Sequence, residues 1–348
     1  MNERPWMTIV IATYNSSKFL PRLSEMLKRQ DCPDQCQDLE ILAVDGGSTD
    51  DTRALAEHLG FRVLDNPDGN AISAKQVGLK NASSRLVCIL DHDEVLLKND
   101  SLKKRFEAFN LDSSLRVMIS AGYEFSEKDS TANMYASEFG DPLSMSTYRC
   151  PNNSDHRIDV YGRRLEVVQE INDLFIFRAA TERRPILCEV AAGSGTIDAD
   201  FFRLTFPAML EEPNIFPHAY YLLGQKDHIG VIVGDSIRHD SAESWSVVRK
   251  KISWRVNNAV RQTSISTSGL VGRSHSDLYS PRRQLLQFAI YAGLVFPVIV
   301  DSFVLVVTRR RLGYLNHFVL TYFVVLEAIR LKLGRVFGRA VSDIRYGQ

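Results

Sequence analysis

Three carboxylates stand within four consecutive positions of the chain, at Asp91, Asp93 and Glu94. They follow residues 87–90 (VCIL), an apolar run typical of a buried strand in a parallel sheet. Because an unpaired buried charge costs several kcal/mol, we expect the acidic residues to lie at the end of that strand. Oxygen ligands this close together favour Mg²⁺ or Mn²⁺. The pattern predicts a metal site at Asp91 and Asp93, with a solvated acidic turn as the alternative.

Strands and helices alternate in the part of the chain that leads to these carboxylates. Apolar and β-branched runs predict strands at residues 7–13, 39–44, 61–64 and 86–90. Apolar residues at helical spacing predict helices at residues 19–27, 51–59 and 72–81. This order predicts parallel strands joined by right-handed crossovers. Polar turns at residues 13–15, 45–48 and 91–93 then converge at the carboxyl edge of the sheet, where such folds bind ligands.

The middle of the chain has a weaker pattern. We predict a helix at residues 101–109, strands at 116–120 and 173–178, a helix starting at 197 and a basic helix at 245–261. A small-residue loop, residues 191–196, precedes the helix at 197. The polar stretch at 129–162 receives no assignment.

Composition excludes some classes of protein. The 348 residues contain 42 basic and 42 acidic side chains, so the formal net charge is zero, which argues against a nucleic-acid partner. Five cysteines, an odd number, lack the second pair that a zinc site needs, and reduced thiols in a cytoplasmic compartment are the expectation. The N-terminal residues show no signal peptide, so we expect the first domain to remain in the cytoplasm.

The last part of the chain is apolar with basic flanks. Residues 285–307 form a run of 23 residues, about 34 Å as a helix, which is long enough to span a bilayer. Pro297 and Asp301 interrupt it, and arginines flank both of its ends, whereas the positive-inside rule favours one side only. We therefore expect residues 285–339 to lie in one leaflet of a membrane. A true span and a buried soluble helix are the alternatives.

The three turns together resemble a known family. The segments IVIATYN (9–15), LAVDGGSTD (42–50) and ILDHDE (89–94) match, in order and spacing, the motifs of family 2 glycosyltransferases of the GT-A fold. The resemblance is close over residues 7–97 and loose beyond them. It implies a Rossmann-like, mostly parallel sheet flanked by helices. It also implies inverting transfer of a sugar from a nucleotide-sugar donor to an acceptor hydroxyl.

The resemblance also implies roles for individual residues. Thr13 and Tyr14 would contact the nucleotide base, Asp45 would accept a hydrogen bond from it, and Gly46 would let the backbone approach closely. Asp91 would hold the ribose, and Asp93 with Asp91 the metal. The full set of residues expected to bind a UDP- or GDP-sugar is Thr13, Tyr14, Asn15, Asp45, Gly46, Ser48, Lys75 and Asp91.

An inverting enzyme also needs a general base for the acceptor hydroxyl. Asp198 fits by its position after the small-residue loop, although Ile197 stands where the family often has Glu. The alternatives are Asp200, Glu211 and Glu212, and any of these could be a helix cap or a surface charge instead. His239 resembles a late histidine of the family and would contact the diphosphate or have a structural role. Three basic residues of the helix at 245–261 would face acceptor phosphate or solvent: Lys250, Lys251 and Arg255.

These predictions combine into one reading of the chain. Residues 1–265 form the GT-A domain, with a nucleotide-binding half (1–97) and an acceptor-side half (98–265), and residues 266–348 form membrane-associated helices. A membrane location implies a lipid-linked or other cell-envelope glycan as acceptor, with catalysis on the cytoplasmic side. A nucleotidyltransferase is the first alternative, but it would carry a glycine-rich phosphate loop where TYNSSKF stands. A catalytically inactive membrane scaffold is the second.

Overall fold

A computed structural model describes residues 4–33, 39–178, 193–211, 228–240, 244–261 and 281–336. The chain divides into two units. The sheet unit comprises Met1–Glu124, Asn153–Glu182 and Cys188–His239, and the helical unit comprises Phe125–Asn152, Arg183–Leu187 and Asp240–Gln348. The predicted boundary at residue 266 lies outside the described residues, so the division into a 1–265 domain and a 266–348 tail stays a prediction.

The strands, in chain order, are β1 (Met7–Thr13), β2 (Leu39–Asp45), β3 (Arg62–Asp65), β4 (Leu86–Asp91), β5 (Glu94–Leu96), β6 (Leu115–Ile119), β7 (Gly122–Tyr123), β8 (Glu166–Ile171), β9 (Leu174–Arg178), β10 (Thr196–Asp198), β11 (His228–Ile232) and β12 (Ser236–His239). The helices are α1 (Leu20–Lys28), α2 (Thr52–His58), α3 (Ala71–Asn81), α4 (Ser101–Leu111), α5 (Thr131–Phe139), α6 (Pro142–Tyr148), α7 (Arg157–Arg164), α8 (Ala199–Thr205), α9 (Pro207–Glu211), α10 (Trp245–Arg261), α11 (Pro281–Gly293), α12 (Phe296–Arg309) and α13 (Asn316–Val336).

The main sheet confirms the predicted α/β fold class. Its order is β3-β2-β1-β4-β10-β6-β11-β9-β8, and helices flank it. The first four strands pair in parallel, as their alternation with helices predicts. Beyond β4 the sheet is mixed, because β10 runs antiparallel to both of its neighbours and β8 and β9 form a hairpin. The four strands of the N-terminal half are therefore the continuous parallel part of the sheet, and beyond β10 only β6 and β11 pair in parallel among the described strands.

Close packing of α3 on β1 fixes the position of the nucleotide-binding half. A Cβ at Gly78 would lie 2.2 Å from a methyl carbon of Val10, so only glycine allows this helix to approach the strand so closely. β1 is fully buried, and β4 is buried from Leu86 to Leu90. A buried apolar strand is what central strands of parallel sheets require.

A second sheet of three strands, β5-β12-β7, lies beside the end of β4. In it β12 pairs antiparallel with β5, which places His239 opposite Glu94. The same strand pairs in parallel with β7, so Ile237 lies opposite Tyr123. The pairing brings a strand from residues 236–239 to the carboxylates at 91–94.

The stretch at 129–162, unassigned from sequence, contains three helices. Ser130 caps α5 by accepting from Asn133 N, and Asp141 caps α6 by accepting from Ser144 N. These serine and aspartate caps were the available sequence signal. The helix predicted from residue 197 begins at Ala199 instead, because residues 196–198 form β10.

The helical unit has a core of its own. Aromatic and aliphatic side chains from α5, α10 and α13 meet there, among them Tyr135, Phe139, Ile252 and Leu320. The apolar run at 285–307 is broken into α11 and α12, which meet at an angle of 85°. By length and composition, one helix of the described residues, Leu312–Gly334, could cross a membrane, and the bent pair could form a second segment.

Candidate active site

The turn after β4, residues 91–94, is called the acidic turn below. Asp91 ends β4 and Glu94 begins β5. His239 Nε2 lies 3.4 Å from Asp93 Oδ2, and its ring stacks on that of Tyr123 with a centroid separation of 5.0 Å. The stacking and the β5–β12 register hold the imidazole at the carboxylate. The structure thus brings together Asp93 and His239, which are separated by more than a hundred positions in the sequence.

Asp91 forms an ion pair with the predicted basic residue. Lys75 Nζ lies 2.7 Å from Asp91 Oδ1, and the lysine side chain is only 5% exposed. The close packing of α3 on β1 brings this lysine to the end of β4. A buried ammonium needs a charged partner, and Asp91 supplies it while keeping one side open to solvent, since its side chain is 29% exposed. Lys75 therefore positions Asp91.

Glu94 is the member of the acidic turn whose structural role the sequence reasoning missed. It is fully buried and accepts from Tyr123 OH (3.1 Å), Gly193 N (2.8 Å) and Asp91 N (3.1 Å). Burial, followed by the nearby charge of Asp91, raises the pKa of Glu94 above its ordinary value. Through Gly193 N, Glu94 connects the acidic turn to the small-residue loop. The only sequence signal was the third carboxylate in the run.

Arg105 holds the same loop from the other side. Its guanidinium is fully buried, pairs with Asp235 at 2.7 Å and donates to Ser194 Oγ at 3.0 Å. It also donates to the carbonyl oxygen of Ser194. Buried charges need partners of this kind, and here they fix the loop that contacts Glu94. Arg105 lies on α4, which the sequence predicted without a role for this residue.

The turns after β1 and β2 form one hydrogen-bonded unit. Asn15 N donates to Ser48 Oγ at 2.9 Å, and Asn15 Oδ1 accepts from Thr49 N at 2.9 Å. Asn15 has a φ of 47°, a left-handed conformation that asparagine tolerates. Gly46 N donates to Thr13 O at 2.9 Å. These bonds bring together four of the predicted binding residues, and Tyr14 lies half-buried between them.

Asp45 is surrounded by donors of its own turn. Its side chain is 1% exposed and accepts from the Ser48 hydroxyl, Gly47 N (3.2 Å), Ser48 N (3.0 Å), Thr13 Oγ1 (3.3 Å) and Arg53 (3.3 Å). A carboxylate offers about four lone-pair positions, so these donors saturate it. Direct acceptance of a bond from a base would require one of them to leave. The geometry favours Asp45 as the residue that holds the turn.

His92, between the two aspartates, is packed. Its ring lies 4.9 Å from that of Phe19, and Nδ1 lies 3.3 Å from the carbonyl oxygen of Ala12. These contacts leave it as a structural contact between α1 and the acidic turn.

Asp198 is not brought to the acidic turn. Because β10 runs antiparallel to β4, Asp198 lies opposite Leu86, at the other end of the strand from Asp91. Five residues of strand separate the two levels, roughly 16 Å. Asp198 instead caps α8, accepting from Phe201 N at 3.0 Å, and pairs with Arg85 at 3.0 Å. The geometry does not support the prediction that Asp198 is the catalytic base.

The remaining candidates for the general base lie at different places and have different ion-pair partners. Asp200 lies two positions beyond Asp198 and pairs with Arg4 at 2.7 Å and Arg203 at 3.1 Å, and these guanidinium groups lower its pKa. Glu211 ends α9 and pairs with Lys80 on α3 at 2.8 Å. Its neighbour Leu210 accepts from Gln76 Nε2 at 2.5 Å. The end of α9 therefore lies against α3, the helix that carries Lys75. Glu212 lies outside the described residues.

The basic residues predicted on α10 belong to the helical unit. Arg255 pairs with Asp141 at 3.1 Å, so its charge is used within that unit. Lys250 is exposed, and Lys251 is half-buried.

Asp93 of the acidic turn and His239 of β12 are the two side chains placed to share a divalent ion. A carboxylate and an imidazole 3.4 Å apart suit neighbouring positions around one divalent ion. Within the described ranges, no group of three or more His, Cys, Asp or Glu side chains has the geometry to hold an ion. The remaining positions would be filled by water and substrate phosphate, which is how proteins commonly hold Mg²⁺.

The N-terminal part of the chain is similar to known glycosyltransferases. Residues 8–159 match the family described as Glycosyl transferase family 2. The chain is 27% identical over 139 residues to glycosyltransferase GlyG of Streptococcus pneumoniae, covering 37% of this chain and 43% of that protein. It is 30% identical over 97 residues to poly(ribitol-phosphate) beta-N-acetylglucosaminyltransferase TarS of Staphylococcus aureus, covering 26% of this chain and 17% of TarS. The chain thus spans less than half the length of these relatives.

Solved structures with a similar course of the chain include two transferases. The crystal structure of S. aureus TarS 1-349 has a TM-score of 0.45 at 16% identity, covering 98% of this chain and 95% of that one. The mannosyltransferase PcManGT of Pyrobaculum calidifontis, in complex with GDP-Man and Mn²⁺, has a TM-score of 0.47 at 13% identity, covering 95% and 88%. The segment that matches the glycosyl transferase family 2 model, residues 8–159, includes all three polar turns, of which the acidic turn is the third.

Proposed function

We propose that the protein is an inverting glycosyltransferase that moves a sugar from a UDP- or GDP-sugar to an acceptor hydroxyl. The observation that carries the proposal is the arrangement at the carboxyl edge of β4, within a family 2 segment. Asp91, in its ion pair with Lys75, and Asp93, beside His239, stand next to the joined turns of β1 and β2. Open α/β sheets bind nucleotides at this edge.

The turns of β1 and β2 would bind the nucleoside. Tyr14 offers an aromatic face to the base, and Asp91 offers its exposed side to the ribose. Asp45 acts as a positioning residue, because its carboxylate holds the amides of Gly47 and Ser48 in place. Thr13, Asn15, Gly46 and Ser48 complete the predicted nucleotide pocket.

Asp93 and His239 would hold a Mg²⁺ or Mn²⁺ ion, with Asp91 close by. Such an ion offsets the charge that develops on the departing nucleoside diphosphate. The stacking of His239 on Tyr123 limits the motion of the imidazole. An ion held by it would therefore keep the donor diphosphate in one position.

The general base is proposed to be Glu211, at the end of α9. Its neighbour Leu210 accepts from Gln76, which follows Lys75 in α3, while Asp198 and Asp200 lie at the far end of β4. Glu212 lies outside the described residues and stays an alternative from the sequence. The Glu211 carboxylate would take the proton of the acceptor hydroxyl as the sugar is transferred. The acceptor is proposed to be a lipid-linked or other cell-envelope glycan, met at the cytoplasmic face of a membrane through the helical unit.

The test is release of nucleoside diphosphate from a panel of UDP- and GDP-sugars, with Mn²⁺ or Mg²⁺ and a lipid-linked acceptor. We expect turnover by the wild type, and a loss of at least about 100-fold in Asp93→Ala, since metal stabilisation of a departing charge contributes several kcal/mol. Asp31→Ala removes an exposed aspartate of the same unit and should keep full activity.

Chelation with EDTA should abolish activity of the wild type, and added Mn²⁺ should restore it. Unchanged turnover in EDTA contradicts the metal assignment. A separate incubation with UTP or GTP and a sugar 1-phosphate tests the alternative, because a nucleotidyltransferase would join the two into a nucleotide-sugar and release pyrophosphate from the triphosphate.

A further inference from the structure

The outer helices of the helical unit expose a hydrocarbon surface. Seven side chains of α12 are exposed, at helical spacing, and six of them are hydrocarbon: Phe296, Ile299, Val300, Phe303, Val304 and Val307. The seventh, Thr308, donates its hydroxyl to Val304 O at 2.7 Å. The buried sides of α12 and α13 are mixed, with Ser302, His317, Thr321 and Glu327 among apolar residues. A helix of a soluble protein exposes charged and polar residues instead. Exposed apolar surface of this extent marks an interaction site.

A chain of hydrogen bonds runs through the buried side. Tyr135 OH lies 2.7 Å from His317 Nδ1, and Tyr291 OH lies 2.8 Å from His317 Nε2. Tyr291 OH donates to Asp301 Oδ2 at 2.7 Å, and Arg149 pairs with Asp301 Oδ1 at 2.7 Å. The chain joins five separate elements. These polar groups are bonded to one another on the buried side, which keeps them away from the exposed hydrocarbon of α12.

This chain also fixes the angle between α11 and α12. Residues 293–296, here called the elbow, connect the two helices at 85°. Tyr291 and Asp301 lie on opposite sides of the elbow and are bonded across it. Straightening the pair would break that bond and separate Asp301 from Arg149. Such a break would leave a charge in the middle of the apolar segment, which membranes disfavour.

Taken singly, α11 and α12 are too short to span a bilayer. With 13 and 14 residues, α11 and α12 are about 20 and 21 Å long, short of the roughly 30 Å of a bilayer core. The longer α13 packs against α10, a helix with exposed basic residues, and a third of its apolar stretch is buried. A helix that spanned would have to take this basic neighbour with it.

Positive charges border the apolar faces. Arg282 and Arg283 are exposed at the start of α11, and Arg310 is exposed at the end of α12. The guanidinium groups of Arg309 and Arg311 form bonds within the helical unit. Arg309 pairs with Glu138, and Arg311 donates to Asp129 O at 3.0 Å. Exposed Arg330 and Lys332 lie at the far end of α13. Exposed arginine beside exposed hydrocarbon matches a surface of anionic phospholipid.

We propose that the elbow and the outward faces of α12 and α13 form a rigid wedge that inserts into one leaflet of an anionic phospholipid bilayer. The bent shape is maintained by the chain from Tyr135 to Arg149. The inference rests on the membrane association proposed above and adds the insertion site, the depth and the lipid charge.

Vesicle flotation of the full chain tests the docking surface. Wild type should float with vesicles of phosphatidylcholine containing phosphatidylglycerol, and much less with phosphatidylcholine alone. Phe296→Glu should lower the bound fraction at least tenfold. The matched control is Leu204→Glu, which should float as the wild type does. Leu204 is an exposed apolar residue of the sheet unit, with 83% of its surface exposed against 72% for Phe296. Equal loss in both variants, or equal flotation, overturns the proposal.

Fluorescence quenching by brominated lipids tests the depth. In Phe296→Trp the added emission should be quenched by vesicles brominated in the outer leaflet. Quenching from both leaflets, or protection of Arg310 from an added protease, indicates a span and overturns the wedge.

Spin labels placed at 286 and 304 test rigidity, because Asp301→Asn should broaden their distance distribution relative to the wild type. An unchanged distribution shows that the polar chain does not set the angle. UDP-sugar turnover with a soluble acceptor, measured on every variant, separates the two proposals. Loss of flotation with intact turnover concerns the wedge alone, and absent turnover with intact flotation concerns the proposed transferase alone.

Discussion

At the scale of the residue, carboxylates of similar sequence context have different environments. Asp91 and Asp93 lie at the carboxyl end of β4, partly exposed, with Lys75 and His239 as partners. Asp45 is buried and saturated by its own turn. Asp198 is a helix cap with an arginine partner. The sequence predicted chemistry for all four, and the proposed function keeps direct contact with the reactants for Asp91 and Asp93.

Asp198→Asn tests the reassignment of the base. Asparagine also caps helices, so α8 should remain. The ion pairs with Arg85 and, at 3.7 Å, Arg116 should be lost, at a cost of about 1 kcal/mol. Turnover should stay within about threefold of the wild type, whereas loss of a general base costs about 10²–10⁴-fold. Steady-state kinetics under saturating donor measures it. One of the companion variants, Glu211→Gln or Glu212→Gln, should show the large loss of turnover. A large loss of turnover in Asp198→Asn alone would restore Asp198 as the predicted base.

At the scale of the element, the contact between α3 and β1 positions the ion pair at Asp91. In Gly78→Ala the new methyl would lie 2.2 Å from Val10 Cγ1, so the helix must move away from the strand. We expect the free energy of unfolding to fall by about 1–3 kcal/mol, despite the better helix propensity of alanine. Donor affinity should fall as well, because Lys75 moves with the helix.

Gly162→Ala is the matched control for this change, since a Cβ there meets nothing within 4 Å. It should be neutral or slightly stabilising. Urea unfolding and calorimetry with UDP and GDP measure both variants, and equal behaviour of the two would show that the close approach has no consequence.

A second element-scale prediction concerns pH. Glu40 on β2 accepts from Thr8 Oγ1 on β1 at 2.7 Å and from Ser83 N at 2.8 Å. Burial opposes its ionisation, but the bonds from Ser83 and Thr8 outweigh burial and hold the pKa of Glu40 below its ordinary value of 4.5. A lowered folded pKa stabilises the fold above the unfolded pKa, and this stabilisation is lost as pH falls through the folded value.

Glu40→Gln should therefore reduce the acid dependence of stability. The free energy of unfolding of the variant should fall less than that of the wild type between about pH 5 and pH 3. Glu57→Gln, at an exposed position of α2, should leave the wild-type dependence unchanged. Parallel curves for wild type and Glu40→Gln would show that this carboxylate is not linked to folding.

At the scale of the whole molecule, the apolar C-terminal helices belong to the same compact unit as a segment from the middle of the chain. The helical unit takes α5 and α6 from the middle of the chain and α10–α13 from its end. Tyr135 of α5 and His317 of α13 are bonded in its core. A chain that ends at Arg283 should therefore expose the core faces of α5 and α6 and aggregate. Ultracentrifugation after detergent-free extraction measures this, and a soluble, monomeric truncation with intact nucleotide binding would instead support a tail.

The sequence by itself determined the first half of the fold and its polar turns. Strand and helix periods are local, and parallel strands joined by short crossovers must end at one edge, so the convergence of residues 13–15, 45–48 and 91–93 followed from pattern alone. Tertiary structure alone decided which distant groups joined them. The reversed direction of β10 took Asp198 to the far edge, and the pairing of β12 with β5 brought His239 to Asp93. Such pairings depend on how the chain turns back between strands, which no local periodicity records.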